Sequence, residues 1–207
     1  MSYVVCGFYT ENTVYEEIAT KYLLTSSKEL GLDYDVVSVP NLGNWQRNTS
    51  YKATFALEML KKHPDKNIIL LDADARIESV PILFDNIPEH YIVAAHYLDH
   101  QLWFHRASPS KEFLSGTLFL RNTKQTYDMV QMWIDKCKIG KEWEQRVLAQ
   151  IIKQFNFPIY HLPVEYCWLH TLPAGRPHPL KDEGVVIRHF QASRWTKQQI
   201  NKKENHG

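Results

Sequence analysis

The chain has 207 residues, 44% hydrophobic, 23% charged and 13% aromatic, enough for one well-buried domain of ordinary globular composition. Its 24 Lys and Arg nearly balance 23 Asp and Glu, which excludes wholesale electrostatic binding of nucleic acid or acidic membrane and leaves only a local basic stripe open. Three cysteines without a C-x-x-C pair, no leader-like N-terminus and no run near the roughly 20 apolar residues of a membrane span set the expectation of a reducing, cytoplasmic protein.

Tyr3 to Tyr9 reads as a buried strand running into the polar cluster Thr10 to Thr13. A helix follows, with Asn12 or Thr13 as N-cap, Glu16 completing a capping box, Val14, Ile18, Tyr22 and Leu23 at helical spacing, and Gly31 as its end. Asp33 to Val39 is a second strand closed by Pro40. A loop from Asn41 to Asn48 leads into a helix from Ser50 to Lys62, and Lys66 to Leu71 is a central strand. Short strands are expected at His90 to His96, Gln101 to His105 and Phe113 to Leu120, then helices at Thr123 to Lys138 and Lys141 to Phe155. A proline-rich passage from Pro158 to Pro179 should be extended, Val185 to His189 is a last short strand, and 201–207 is a polar tail. The alternation of strands and helices predicts a single α/β domain over residues 1–200, with a mostly parallel central sheet flanked by helices.

Such sheets bind ligands beyond the carboxyl ends of their strands, where Phe8-Tyr9-Thr10 and Asp72-Ala73-Asp74 both fall. A D-x-D turn is often no more than solvated acid, but it also has the oxygen ligands that Mg²⁺ and similar hard cations take alongside substrate phosphates.

Several segments in order resemble the GT-A glycosyltransferases, in particular the small nucleotide-diphospho-sugar transferases of bacteria and their viruses. They are Val4 to Thr10, Trp45 to Lys52, Leu70 to Ile77, Phe113 to Thr123, Trp143-Glu144-Gln145 and His189 to Trp195. The resemblance implies a GT-A fold and transfer of a sugar from a nucleotide-diphosphate donor, UDP-sugar favoured, to a hydroxyl acceptor. It implies Mn²⁺ or Mg²⁺ held by Asp72, Asp74 and His189, with Asp72 nearer the nucleotide. Phe8, Tyr9, Thr10 and Lys52 would meet the nucleotide, and Ser193, Arg194 and Lys197 the diphosphate. Ser115, Gly116, Thr117 and Gln145 would line the sugar and acceptor site, with Glu144 as the catalytic carboxylate. The chain departs from the glycogenin-like H-x-x-G-x-x-K-P-W pattern, lacking both the Gly and the Pro before Trp195.

Each residue also has a plainer reading: Lys52 as a solvent-facing helix lysine, His189 as a hydrogen-bonded strand end, Glu144 as a surface acid like Glu142. Three alternatives stand beside the resemblance. The D-x-D could serve a HAD-like phosphohydrolase, although Ala-Arg follows it and it lies a third of the way along the chain. His96, His100 and His105 could be imagined on zinc. The fold could also be a non-catalytic nucleotide-sugar-binding module. For the acceptor, a glycan or hydroxymethylated DNA is expected, the latter motivated by Lys181, Arg188, Arg194, Lys197, Lys202 and Lys203.

Overall fold

The computed structural model describes residues 2–104, 107, 109–140, 142–170, 179–194 and 196. The two strands at its centre are mostly apolar because both of their faces are covered. β1 (Tyr3–Thr10) sends Val4 and Cys6 to one side and Tyr3 and Val5 to the other. β3 (Asn67–Leu71) divides Ile68 and Leu70 from Ile69 and Leu71 in the same way.

The first face meets three helices, α3 (Trp45–Lys62), α5 (Lys124–Ile139) and α6 (Glu144–Gln154), through Phe55, Leu60, Trp133 and Leu148. Trp133 is fully buried, and its indole N–H donates to the Glu144 carbonyl at 2.8 Å, pinning the start of α6 to α5. The second face meets a helical segment made of α1 (Val14–Ala19), a π-helical turn (Thr20–Leu24) and α2 (Thr25–Glu29), together with Phe84, Tyr166 and Ile187. Gly7 lets this layer close on β1: a Cβ there would meet Leu23 Cδ2 at 2.6 Å.

The remaining strands are β2 (Tyr34–Val39), β5 (Val93–Asp99), β6 (Lys111–Leu120) and β7 (Ile159–His161). The sheet order is β2-β1-β3-β6-β5-β7, five strands running one way and β6 against them, so the expected mostly parallel sheet is present. A second sheet was not foreseen. It joins β4 (Ala75–Ile77), β9 (Ile187–His189) and β8 (Trp168–Leu169), with β9 in the middle.

Other expectations shift. Gln101 to His105 was read as a strand, but α4 (His100–Phe104) is a helix, because the Asp99 carboxylate accepts from Gln101 N at 2.8 Å and Leu102 N at 3.2 Å. The strand expected at His90 to His96 lies later, at β5. α3 starts five residues early, since Asn44 caps it by accepting from Arg47 N at 2.9 Å. The tail 201–207 lies outside the described residues. No helix among the described residues is long and apolar enough to cross a membrane.

Candidate active site

The D-x-D turn is built by backbone bonds. Asp72 N donates to Gly116 O at 3.1 Å as β3 ends, and Ala75 N donates to Asp72 O at 2.9 Å as β4 begins. Pairing of β4 with β9 sets Ala75 opposite His189, which carries a histidine 115 positions along the chain to the side of Asp74. The chain then turns through Gln191, whose φ of 55° is in the left-handed region. That turn aims Ala192 N at Asp74 Oδ2, at 2.7 Å, while Phe190 N bonds the Asp74 carbonyl at 3.1 Å.

One oxygen of Asp74 is thereby held by backbone, and the other, Oδ1, faces His189 Nδ1 at 3.7 Å. The opposite ring nitrogen, Nε2, is 2.8 Å from Thr117 Oγ1. With Nε2–H donating to that hydroxyl, the Nδ1 lone pair points toward the carboxylates, the arrangement that second-shell partners impose on metal-binding histidines. Asp72, Asp74 and His189 each bring one ligand atom within 4.8 Å of the others. Burial alone would lower the His189 imidazole, but Cys167 and Asp74 beside it raise it to about 10. A cation bound here must displace that proton. Two carboxylates and one imidazole, with space for further oxygen ligands, fit Mn²⁺ or Mg²⁺.

Beneath the turn lies a buried ionic network. The Lys52 ammonium, on the first turns of α3, pairs with Asp72, reaches Ser115 O at 3.2 Å and sits 3.4 Å from Glu144 Oε1. Burial works against this charge, but Asp72 and Glu144 outweigh it and hold the lysine above its ordinary value. Ser115 Oγ donates to Glu144 Oε1 at 2.9 Å, and Ser115 N donates to Gln145 Oε1 at 2.9 Å. Gln145 Nε2 continues to Glu112 Oε1 at 3.2 Å, and Glu112 Oε2 lies 2.9 Å from His100 Nε2.

These groups form the wall of a cavity of about 480 Å³. The sequence-derived residues Phe8, Tyr9, Thr10, Ser193 and Arg194 line it together with Lys52, Asp72, Asp74, Ser115, Glu144 and Gln145. Phe8 also packs edge-on against Tyr51, so it is half core and half wall. Burial lowers the Arg194 guanidinium, with Asp74 and Glu112 opposing. Gly116 and Thr117 lie behind the wall: Thr117 is fully buried under His189, and a Cβ at Gly116 would stand 3.1 Å from His189 Cε1 and 3.3 Å from Asp72 Oδ2. Lys197 and His105 lie outside the described residues.

Of the imagined zinc histidines, the described pair is engaged elsewhere. His96 Nδ1 bonds Leu162 O at 2.9 Å, while His100 is engaged with Ser110 and Glu112. Of the alternative basic groups, Arg188 is spent on Glu78 and Asp182. Sequence reasoning missed Trp143, Phe104, Glu112 and Tyr15 as cavity residues. Trp143 immediately precedes Glu144, so an exposed aromatic at an N-cap was the available signal.

No protein-family model and no curated protein matches this chain. Solved structures do. A glycosyltransferase involved in glycosylation of the major capsid of PBCV-1 superposes with a TM-score of 0.66 at 10% identity, covering 97% of this chain and 100% of that one. The bifunctional glycosyltransferase WbbM gives 0.58 at 12% identity, over 92% of this chain and 46% of its own. GlyE of Streptococcus pneumoniae TIGR4 gives 0.55 at 15%, over 95% and 57%. The chain therefore spans about half the length of the latter two. The architecture of this chain is the GT-A fold that these glycosyltransferases share.

Proposed function

We propose that the chain is a metal-dependent glycosyltransferase that moves a sugar from a nucleotide-diphosphate donor, UDP-sugar first, to a hydroxyl acceptor on a glycan or a hydroxymethylated base. A cytoplasmic setting belongs to the same reading. The observation that carries it is that Asp72 and Asp74, on the wall of a cavity large enough for a nucleotide sugar, have the buried His189 behind them, the three ligand atoms within 4.8 Å of one another. The glycosyltransferase activity of the fold's relatives supports it.

In this reading Phe8, Tyr9 and Thr10 form the base-facing wall at the end of β1. Asp74 and His189 would hold Mn²⁺ or Mg²⁺, with Asp72 serving the ion and the ribose side of the donor. The ion supplies Lewis-acid stabilisation of the negative charge that grows on the diphosphate as the glycosidic bond breaks. Arg194 and Ser193, which follow the Ala192 amide that bonds Asp74, would meet the same phosphate oxygens beside the aspartates. Lys52 acts through others: its ammonium ties Asp72 to Glu144, so the metal site and the sugar-facing carboxylate are held in fixed relation. Glu144, with Gln145 beside it, is the carboxylate available to the reacting sugar or acceptor hydroxyl.

The test is a donor screen by thermal shift with and without Mn²⁺. A true donor at a hundredfold excess over its Kd stabilises the fold by about 2.7 kcal/mol, a rise in Tm on the order of 5–10 °C for a chain this size. Asp74→Ala should abolish both that shift and sugar transfer. If both persisted in the variant, the reading would be wrong. A donor shift without hydrolysis or transfer would point to the binding module.

A further inference from the structure

We infer that the rim of the cavity is an acceptor subsite for an uncharged carbohydrate, built on the paired indoles of Trp45 and Trp143. This inference rests on the glycosyltransferase reading of the metal-bearing wall, and it selects between the two acceptor classes that reading leaves open.

Three observations carry it. The first is the aromatic platform. Trp45 and Trp143 lie on different helices, one at the first residue of α3 and the other capping α6. They nevertheless meet edge to face, with centroids 6.0 Å apart and planes at 81°. Trp143 is 47% exposed although it lines the cavity, and the Arg146 guanidinium stands 5.0 Å from its ring centre. An indole held from two sides by its neighbours is a rigid, pre-positioned surface. The apolar C–H face of a pyranose is shaped for such a ring.

The second is the polar fringe. Glu112 and Gln145, joined at 3.2 Å, sit on the same wall and present a carboxylate and an amide, the groups that pair with sugar hydroxyls. Gln145 also leads directly to Ser115 and the sugar-facing network.

The third is charge. Among the described residues, the cavity wall holds four carboxylates (Asp72, Asp74, Glu112 and Glu144) against two cations, Lys52 and Arg194. Lys52 is already committed to Asp72 and Glu144. One divalent ion neutralises the remainder, and the donor diphosphate then adds negative charge of its own. A polyanionic acceptor would enter against that field, whereas duplex binding depends on neutralising phosphates with Lys and Arg. A neutral glycan meets no such opposition.

The experiment uses the full chain loaded with UDP and Mn²⁺. Its probes are the methyl glycosides and β-linked disaccharides of glucose, galactose and mannose, with a 12-base-pair duplex carrying 5-hydroxymethylcytosine for comparison. Binding is read by saturation-transfer NMR and titration at physiological salt. The expected result is saturation of ring C–H protons of at least one glycoside. Its Kd should rise about tenfold in Trp143→Ala and be largely restored in Trp143→Phe, which keeps a ring. Circular dichroism of both variants reports the fold. No glycoside binding, binding indifferent to Trp143→Ala with the fold intact, or tighter binding of the duplex than of every glycoside would each overturn the inference. Donor hydrolysis and transfer by the unaltered protein are measured in parallel. Absence of both hydrolysis and transfer from UDP-sugar to the bound glycoside, alongside Trp143-dependent glycoside binding, would instead sink the enzyme reading and leave a carbohydrate-binding surface standing.

Discussion

At the scale of single residues, two positions decide whether the metal site keeps its shape. Gly116 lies against His189 and Asp72 with no room for a methyl group that would leave both undisturbed. Gly116→Ala should fold yet push the imidazole away from Asp74, weakening Mn²⁺ by about tenfold or more, as loss of an outer-shell constraint does. A Mn²⁺ titration followed by thermal shift reads this directly. Lys52 is the other position. Removing a buried cation leaves its partners uncompensated, so Lys52→Met should cost about 3 kcal/mol, the lower part of the range because the Asp72 side chain is 41% exposed. Adding Glu144→Gln to that variant should recover part of the loss, since one of the two orphaned charges is then gone. Denaturant titration of the single and double variants checks it.

At the scale of elements, the edge strand β2 is tied to the end of α3 by one carboxylate. Asp35 Oδ2 accepts from Lys62 Nζ at 2.7 Å and lies 2.8 Å from His63 Nε2. Burial would raise Asp35, but the bonds from Lys62 and His63 prevail and hold it below its ordinary 3.8. A carboxyl depressed in the folded state stabilises above its unfolded value and loses that contribution as the pH falls through the folded one. Asp35→Asn should therefore cost about 1 kcal/mol at neutral pH and nearly nothing well below pH 3.8, which unfolding curves across the acid range will show.

How much could be read from sequence follows from the same local physics. β1, β3 and α5 were legible because continuous apolar runs or helical periodicity announce them. α4 was not, since Gln-Leu-Trp-Phe has strand-like residues and only the Asp99 cap reveals the helix. The Ser115-Gly116-Thr117 stretch was legible as a motif but not as a shape. Ala95 pairs with Leu118 and the next residue, His96, with Leu114, so these three positions of β6 are unpaired with β5. They pass beneath the D-x-D turn, and a long-range register shift of that kind leaves no periodic trace. β4 and β8 were hard for a related reason: each is two or three residues long and pairs only with β9. β9 (Ile187–His189), by contrast, falls within the short strand expected at Val185 to His189.

At the scale of the whole molecule, the three residues of the candidate metal site come from two distant parts of the chain and two different sheets. Asp72 and Asp74 follow the central sheet, whereas His189 belongs to the small one. The segment after β9 is joined to the D-x-D turn through its backbone, with Phe190 N on the Asp74 carbonyl and Ala192 N on Asp74 Oδ2, while Phe190 stacks on Tyr22 with centroids 4.1 Å apart and Tyr15 OH lies 3.2 Å from Thr196 Oγ1. Binding Mn²⁺ should therefore protect the amides of Phe190 and Ala192 far more than those of β1 or β3, whose opening already requires global unfolding. Hydrogen exchange with and without the ion measures the difference; uniform protection across the chain would contradict it.

The contact between Ala192 N and Asp74 Oδ2 also has a consequence in the order of synthesis. A nascent chain that has emerged through α6 already has β1, β3 and the antiparallel β6, with three helices to cover one face. It also carries both aspartates, Lys52 and Glu144. It lacks His189 and the Ala192 amide, the two groups that face Asp74 in the folded chain. On the proposed metal reading, the third ligand arrives only when β9 takes its place between β4 and β8, so cation affinity should rise after the central sheet that presents the aspartates is made.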